Sequence, residues 1–338
     1  MVADPLRVGV LGTGRIGRMH AELLATRVGG ATLVAVCDPA AEAARAVATQ
    51  LRVPAVASAA ELLALPEVEA VAICSSTETH ADAVVAAAEA GKAVFCEKPV
   101  ALDLGEIDRA LAAVERNGVP FQVGFNRRFD AAHASVRTAV SSGAIGDVHL
   151  VRISSRDPDP PPLEYARVSG GLFLDMTIHD FDMARFVTGS EVAEVYARGA
   201  VRITPELAEL GDVDTAVVTL QHEDGALTVI DNSRQAVYGF DQRVEAFGSR
   251  GMAASENPLA HTGVVRTAEG ARAATLPYFF LERYIPSYVA QWEAFATAVR
   301  AGAPPPVGGA DARAPIAIGL AATRSLRERR PVRVSEIG

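Results

Sequence analysis

Lys98 stands out among the residues that could carry chemistry, because lysine is rare in this chain. Only two of the 32 basic residues are lysines, Lys92 and Lys98. Lys98 lies in the segment Val94–Pro99, at the end of an apolar run, and the proline that follows it holds its backbone extended. A compact ammonium suits proton transfer or charge stabilisation that a planar guanidinium cannot supply. We therefore predict a catalytic role for Lys98. The alternative, a surface lysine at the end of a strand, suits Lys92 better.

A second group with chemical potential lies in the segment from Gly170 to Phe186, which reads as one helix. Asp175, His179 and Asp182 are spaced i, i+4 and i+7, so they would share a face of that helix. A carboxylate beside an imidazole on an otherwise apolar helix is typical of a general base with its orienting partner. The alternative is a solvated helix face. We predict no metal, because no histidine or cysteine cluster supplies a third ligand.

A glycine-rich turn predicts where a dinucleotide would bind. The pattern G-x-G-x-x-G follows an apolar run and precedes a helix, so its amides could receive a pyrophosphate. Asp38 closes the next apolar run, where a carboxylate would accept hydrogen bonds from the adenosine ribose. Because a carboxylate repels a 2′-phosphate, NAD is favoured over NADP, although Arg15 could partly accommodate that phosphate. The predicted cofactor residues here are Gly12, Thr13, Gly14, Arg15, Ile16, Gly17 and Asp38.

A polar turn after another apolar run adds further cofactor residues. Ser75, Ser76 and Thr77 follow the run from Val71 to Cys74, at the carboxyl edge where the ligand crevice of a parallel sheet lies. We predict that these three residues contact the cofactor. His80 is either a further contact or a hydrogen-bond partner at the start of the next helix.

The elements that must position these residues form an α/β fold in two parts. Up to residue 124, short apolar runs alternate with helical stretches, which predicts βαβ units and a parallel sheet. Residues 125–338 are richer in strands joined by turns, with helices near 131–142, 172–188, 280–301 and 311–329. We predict a dinucleotide-binding domain at 1–124, and an α+β substrate and oligomerisation domain with a mainly antiparallel open sheet at 125–338.

Composition limits the partners and the compartment. The 338 residues are 49% hydrophobic and carry a formal net charge of −9, with no long basic cluster, so nucleic acid is not an expected partner. We find neither a secretory signal pattern nor an apolar stretch long enough for a membrane span. The three cysteines, Cys37, Cys74 and Cys96, lie in or at the end of apolar runs and read as reduced core positions. We therefore expect a cytoplasmic protein that binds small molecules.

Three of these motifs together resemble one family. Gly12–Gly17, Glu97-Lys98-Pro99 and the segment Asp175–Asp180 occur in the order and spacing of the glucose-fructose oxidoreductase/inositol dehydrogenase family, over essentially the whole chain. The chain looks closer still to the inositol 2-dehydrogenase branch in three segments, Ser155–Pro158, Gly170–Asp182 and Tyr238–Glu245. The resemblance implies an N-terminal Rossmann domain. It also implies a C-terminal domain whose open sheet makes oligomer contacts, commonly in a tetramer, and NAD-dependent oxidation of a ring hydroxyl.

The resemblance also implies roles for individual residues. Lys98, Asp175 and His179 match the family's catalytic trio, with His179 as the base. Arg127, Asp157 and Tyr238 match substrate-binding positions, and Glu97 and Lys98 join the cofactor contacts. Ser155 and Asp157 stand where some relatives carry histidine and asparagine, so the choice of polyol stays open. The alternatives are a dehydrogenase for scyllo-inositol or an aldose, and a regulator that binds NAD or a sugar without catalysis.

Overall fold

The chain forms two compact units in a computed structural model that describes residues 4–338. The first unit runs to Asn126 and also includes Ser287–Ile316, whereas the second comprises Arg127–Pro286 and Ala317–Gly338. The sequence-based division at residue 124 places 287–316 in the second domain. In the structure this segment belongs to the first unit because Trp292 and Phe295 pack on Phe95, with ring centroids 4.4 and 6.0 Å away.

The first unit is built on a six-stranded parallel sheet. Its strand order is β3-β2-β1-β4-β5-β6, the order of a doubly wound dinucleotide-binding fold. Strands β4 and β5 are buried at every residue, as expected for a sheet covered by helices on both faces. The strands are β1 Leu6–Leu11, β2 Ala31–Cys37, β3 Ala55–Val56, β4 Ala70–Ile73, β5 Ala93–Cys96 and β6 Phe121–Val123. The helices are α1 Arg15–Thr26, α2 Ala41–Leu51, α3 Ala59–Ala64, α4 Thr77–Glu89 and α5 Leu104–Asn117.

The second unit is built on a seven-stranded sheet, in the order β12-β11-β7-β10-β9-β8-β15. Its neighbours are antiparallel except for β7 and β10, which run parallel. A separate exposed hairpin joins β13 to β14. The strands are β7 Val148–Arg156, β8 Val192–Ala200, β9 Thr215–His222, β10 Leu227–Ser233, β11 Asp241–Gly248, β12 Gly251–Ser255, β13 Val264–Thr267, β14 Gly270–Ala273 and β15 Val332–Arg333. The predicted fold class is confirmed.

One face of this second sheet is covered and the other is open. Alternate residues of β9 and β10, such as Val218 and Ile230, belong to a core that includes Phe181. Helices of the unit are α6 Ala131–Ser141, α7 Leu163–Ala166, α8 Gly171–Asp175 and α9 Ile178–Thr188; α10 Phe280–Ala301 and α11 Gly309–Glu328 each contribute to both units. The open face exposes about half of the side chain of Val217, Leu227, Phe247 and Met252.

The helix predicted near 172–188 is interrupted, which corrects the sequence-based expectation. It is divided into α8 and α9 around Met176 and Thr177. The amides of both residues donate to Leu172 O at 3.0 Å, and those of His179 and Asp180 then donate only three residues back. The bond from Thr177 spans five residues and the next two span three, whereas each bond of a regular α-helix spans four. Asp175 and His179 are therefore not related by the i, i+4 geometry of a regular helix.

Among the described residues, no helix is both long and apolar enough to cross a membrane.

Candidate functional site

The glycine-rich turn between β1 and α1 has the shape its sequence requires. Gly12 has φ +95°, and a Cβ there would lie 2.5 Å from the backbone nitrogen of Ser75. At Gly17 a Cβ would lie 1.8 Å from the carbonyl oxygen of Gly12. Gly14, by contrast, faces open space. Two glycines thus allow the chain to fold tightly, and the third leaves room in front of the helix.

Asp38 closes this turn from the end of β2. Its Oδ2 accepts hydrogen bonds from the amide and the hydroxyl of Thr13, at 2.6 and 3.0 Å, and its Oδ1 accepts from the Ala40 amide at 2.8 Å. The side chain is half-buried. Asp38 therefore contacts the glycine turn directly, with Thr13 as one of its hydrogen-bond donors.

These residues suit a dinucleotide. Gly14 caps the 12-residue helix α1 with no side-chain hydrogen bond, and the first turn carries no acidic residue, so the positive end of the helix faces the open space beside Gly14. Arg15 is exposed at the same turn and Ile16 is half-buried. A pyrophosphate fits that arrangement, and the carboxylate of Asp38 fits a ribose diol.

The polar turn after β4 begins α4, and its residues differ in exposure. Ser76, the N-cap, is exposed, while Ser75 and Thr77 are half-buried. His80 is 2% exposed, and its ring nitrogens lie 2.8 Å from Pro99 O and 2.9 Å from Ser75 O. Of the two roles considered for His80, this geometry favours the hydrogen-bond partner, which ties the two loops together.

Lys98 follows β5 beside a buried polar group. It is half-buried, its peptide bond to Pro99 is cis, and its amide donates to Glu97 Oε2 at 3.3 Å. Glu97 is 8% exposed, and its Oε1 lies 2.7 Å from His20 Nε2. Glu97, predicted as a cofactor contact, is thus engaged with its own unit through at least two hydrogen bonds.

In the second unit, Asp175 ends α8 in contact with two donors. Its Oδ2 accepts from Arg234 Nη1 at 2.9 Å, and its Oδ1 accepts from the hydroxyl of Tyr165 at 2.8 Å. Arg234 is 3% exposed, and its Nε and Nη2 find no hydrogen-bond partner within residues 4–338. His179 is half-buried in the first turn of α9. Asp175 is therefore fixed by a buried guanidinium whose Nε and Nη2 remain available as hydrogen-bond donors.

The charges of Asp175 and Arg234 also act on Asp157. Burial raises the pKa of Asp157 to about 6, and the charges of Asp175 and Asp180 act in the same direction, while Arg234 and Arg127 oppose the rise. Burial likewise raises the pKa of Asp180 to about 6. Carboxyl acceptors and guanidinium donors thus act on one another here, and together they suit the hydroxyls of an uncharged ligand.

The other two predicted substrate residues have partners of their own. Arg127 is 7% exposed and donates to Asp180 Oδ1 at 2.8 Å and to Ser155 Oγ at 3.2 Å. Tyr238 is 48% exposed, and its hydroxyl donates to Asp241 at 2.7 Å and accepts from Arg156 at 2.9 Å. Arg127 therefore lies among the charges that act on Asp157, together with Asp180. The hydrogen bonds of Tyr238 belong to a different network, formed with Asp241 and Arg156.

Sequence reasoning missed Arg234, Tyr165 and Asp180. Arg234 follows directly after β10, so the reasoning applied to the polar turn after β4 could have singled it out. Tyr165 lies in the four-residue helix α7, whose pattern gives no comparable signal. No group of three or more histidine, cysteine, aspartate or glutamate residues in the described part of the chain is arranged to hold a metal ion.

Comparison with known proteins agrees with this description. A model of an oxidoreductase family with an NAD-binding Rossmann fold matches residues 6–125, and a GFO/IDH/MocA C-terminal domain model matches residues 133–254. A myo-inositol 2-dehydrogenase of Thermotoga maritima is 48% identical over 98% of this chain and 99% of its own length.

Solved structures are similar over the same extent. The crystal structure of a probable dehydrogenase from Thermotoga maritima has a TM-score of 0.97 at 48% identity, covering 98% of this chain and 100% of that one. A scyllo-inositol dehydrogenase from Lactobacillus casei, solved with NAD(H) and scyllo-inositol, has a TM-score of 0.91 at 28% identity and covers 98% and 100%.

Proposed function

We infer the reaction of this chain from the premise that it belongs to the GFO/IDH/MocA oxidoreductase family, whose two domain models match residues 6–125 and 133–254. It is an NAD-dependent oxidoreductase that acts on a CH–OH group. Its substrate is a cyclic polyol, myo-inositol, which it oxidises at position 2 to a ketone. The observation that carries this assignment is the 48% identity, over 98% of the chain, to a myo-inositol 2-dehydrogenase.

The chain's own residues take the following roles in this proposal. His179 removes the proton of the reacting hydroxyl, and Asp175, fixed by Arg234 and Tyr165, orients the substrate or the imidazole. Lys98 stabilises the negative charge that develops on the oxygen. Asp157 and Arg127 bind other hydroxyls of the ring, and Tyr238 is a further substrate contact. NAD, when bound, accepts the hydride.

We assign the cofactor-binding role to the glycine turn, Asp38 and the turn after β4. Asp38 favours NAD over NADP because its carboxylate, fixed by Thr13, would repel a 2′-phosphate at the adenosine ribose. Glu97, Lys98 and the residues Ser75, Ser76, Thr77 and His80 complete the proposed set, with His80 acting through the loops that it joins.

We further propose a cytoplasmic homotetramer. The three cysteines are free and buried, as in proteins of reducing compartments. The open face of the second sheet carries four half-exposed apolar side chains. Apolar side chains grouped on one face mark an interaction surface, which other copies of the chain would cover.

A dehydrogenase for scyllo-inositol is the second candidate, favoured by the similarity to the Lactobacillus casei enzyme. The two are separated by following NADH absorbance with myo-inositol, scyllo-inositol and a panel of aldoses. We expect the highest kcat/KM with myo-inositol. A preference for scyllo-inositol or an aldose would reassign the substrate, and a lack of turnover with every compound, despite NAD binding, would favour a regulator.

A further inference from the structure

The first unit contains a series of hydrogen bonds that begins in the core and ends at Lys98, and we call this series the relay. It starts at Trp292, whose Nε1 donates to His20 Nδ1 at 2.9 Å. His20 Nε2 lies 2.7 Å from Glu97 Oε1, and Glu97 Oε2 accepts from the Lys98 amide at 3.3 Å. His20 and Trp292 are both 0% exposed. The contacts of His20 with Trp292 and with Glu97 therefore lie in the core.

The donors in this relay fix the position of the histidine proton. An indole N–H can only donate, so His20 Nδ1 must accept and carries no proton. The proton of the neutral ring therefore lies on Nε2 and is donated to Glu97 Oε1. A charged imidazole would direct a second N–H at the indole donor. The geometry thus selects one neutral tautomer of His20.

The surroundings of the ring and of the carboxylate allow little adjustment. Phe95, Tyr288 and Trp292 pack edge-on to the His20 ring at 5.4 to 5.7 Å. A Cβ at Gly124, after β6, would lie 2.9 Å from Glu97 Oε1, so any larger residue there would displace the carboxylate. Glu97 is therefore confined on one side by backbone and oriented on the other by His20.

We propose that His20, oriented by Trp292, is a positioning residue that acts through Glu97 to fix the backbone of Lys98. This rests on the proposed function, in which Lys98 acts on the reacting oxygen. Neither His20 nor Trp292 needs to touch the substrate or the cofactor. Their contribution is to turnover, because a displaced lysine stabilises the developing charge less well.

The first test is spectroscopic and independent of turnover. Nitrogen-15 spectra of protein labelled at histidine, with His20 assigned through His20→Phe, should show a neutral ring protonated at Nε2. A ring protonated at Nδ1 or at both nitrogens would overturn the relay.

The second test is a double-mutant cycle in the full-length enzyme. His20→Phe and Glu97→Gln should each lower kcat on the order of tenfold or more, the effect of losing one charge-assisted hydrogen bond, with a smaller change in the NAD dissociation constant. The double variant should be no slower than the slower single variant, since both changes break one relay. Multiplying effects, or a loss confined to NAD binding, would refute the positioning role.

A milder pair of variants covers the case in which His20→Phe fails to fold. Trp292→Phe removes the indole donor but keeps a ring, whereas Phe295→Leu shrinks the same aromatic cluster, 5.7 Å away, and keeps the donor. We expect both to lower Tm and only Trp292→Phe to lower kcat. Equal effects of the two on kcat would reduce the relay to core packing. An inactive parent enzyme would instead contradict the proposed function, and the nitrogen spectra would still decide whether the relay exists.

Discussion

Arg234 was not predicted from the sequence, and the structure places it beside Asp175. Its guanidinium is buried beside Asp175 and has two nitrogens with no acceptor in the described chain. Arg234→Gln should lower kcat/KM for the polyol by about 10- to 100-fold, because a hydrogen bond to a charged group contributes about 1.5–3 kcal/mol. Steady-state kinetics with circular dichroism would check this, using the exposed Arg45→Gln as a control. Unchanged kinetics in a folded Arg234→Gln variant would remove Arg234 from the site.

Asp38 governs the choice of cofactor in our interpretation. Asp38→Ser should decrease kcat/KM with NAD and increase it with NADP, because the repulsion of a 2′-phosphate is lost. Thr13→Val is the matched control, since it removes one hydrogen bond to Asp38 but keeps the charge. The ratio of the two kcat/KM values should change only in Asp38→Ser. A shift of similar size in Thr13→Val would mean that the turn, and not the charge, selects the cofactor.

Asp157 should make the stability of the protein depend on pH. Burial raises its pKa to about 6, from an ordinary value of about 3.9, so folding favours the protonated carboxyl. Its contribution to stability is complete below about pH 4 and is lost as the pH rises to about 6. The Tm of Asp157→Asn relative to the parent should therefore increase between those values. The exposed Asp147→Asn serves as control, and parallel Tm curves for Asp157→Asn and the parent would contradict the assignment.

At the scale of elements, the break between α8 and α9 sets the relation of Asp175 to His179. Thr177, which is fully buried at this break, donates its hydroxyl to Asn232 Oδ1 at 2.7 Å and thereby joins the helices to β10. Thr177→Val keeps the shape of the side chain but removes the hydroxyl that donates to the buried Asn232 Oδ1. We expect a loss of about 1–3 kcal/mol in unfolding free energy, measured with urea, and a lower kcat.

A threonine that lies on a helix surface provides the comparison. Thr138 of α6 hydrogen-bonds only within its own helix, to Ala134 O, and is exposed. Thr138→Val should change neither quantity by a comparable amount. If Thr177→Val behaved like this control, the break would not depend on the link to β10.

At the scale of the whole molecule, the open face of the second sheet predicts assembly. Val217 and Leu227 are each 50% exposed on neighbouring strands of that face. Val217→Arg should place a charge in the proposed interface and dissociate the tetramer, as light scattering would show. Val168→Arg adds the same charge at a 65% exposed residue outside the strands and should leave the assembly intact. A monomeric parent protein would contradict the proposal directly.

The sequence by itself determined the fold class and the nature of the cofactor turn. Apolar runs and helical stretches are local patterns. The steric demand at Gly12 comes from Ser75, after β4, but that at Gly17 comes from Gly12, within the same turn. The same locality explains why the core helices at 131–141 and 280–301 were anticipated closely. The catalytic roles of Lys98, Asp175 and His179 stay predictions that the proposed variants test.

Only the tertiary structure decided which polar residues meet. Asp182, which the helical spacing placed on one face with His179, is 1% exposed and forms an ion pair with Arg128 at 2.6 Å. Arg234 reaches Asp175 across 59 positions, and Trp292 reaches His20 across 272. Such contacts depend on how separate elements pack, because a hydrogen bond needs its two atoms within about 3 Å, whatever their distance along the chain. Periodicity specifies the face of one element, and packing specifies what that face meets.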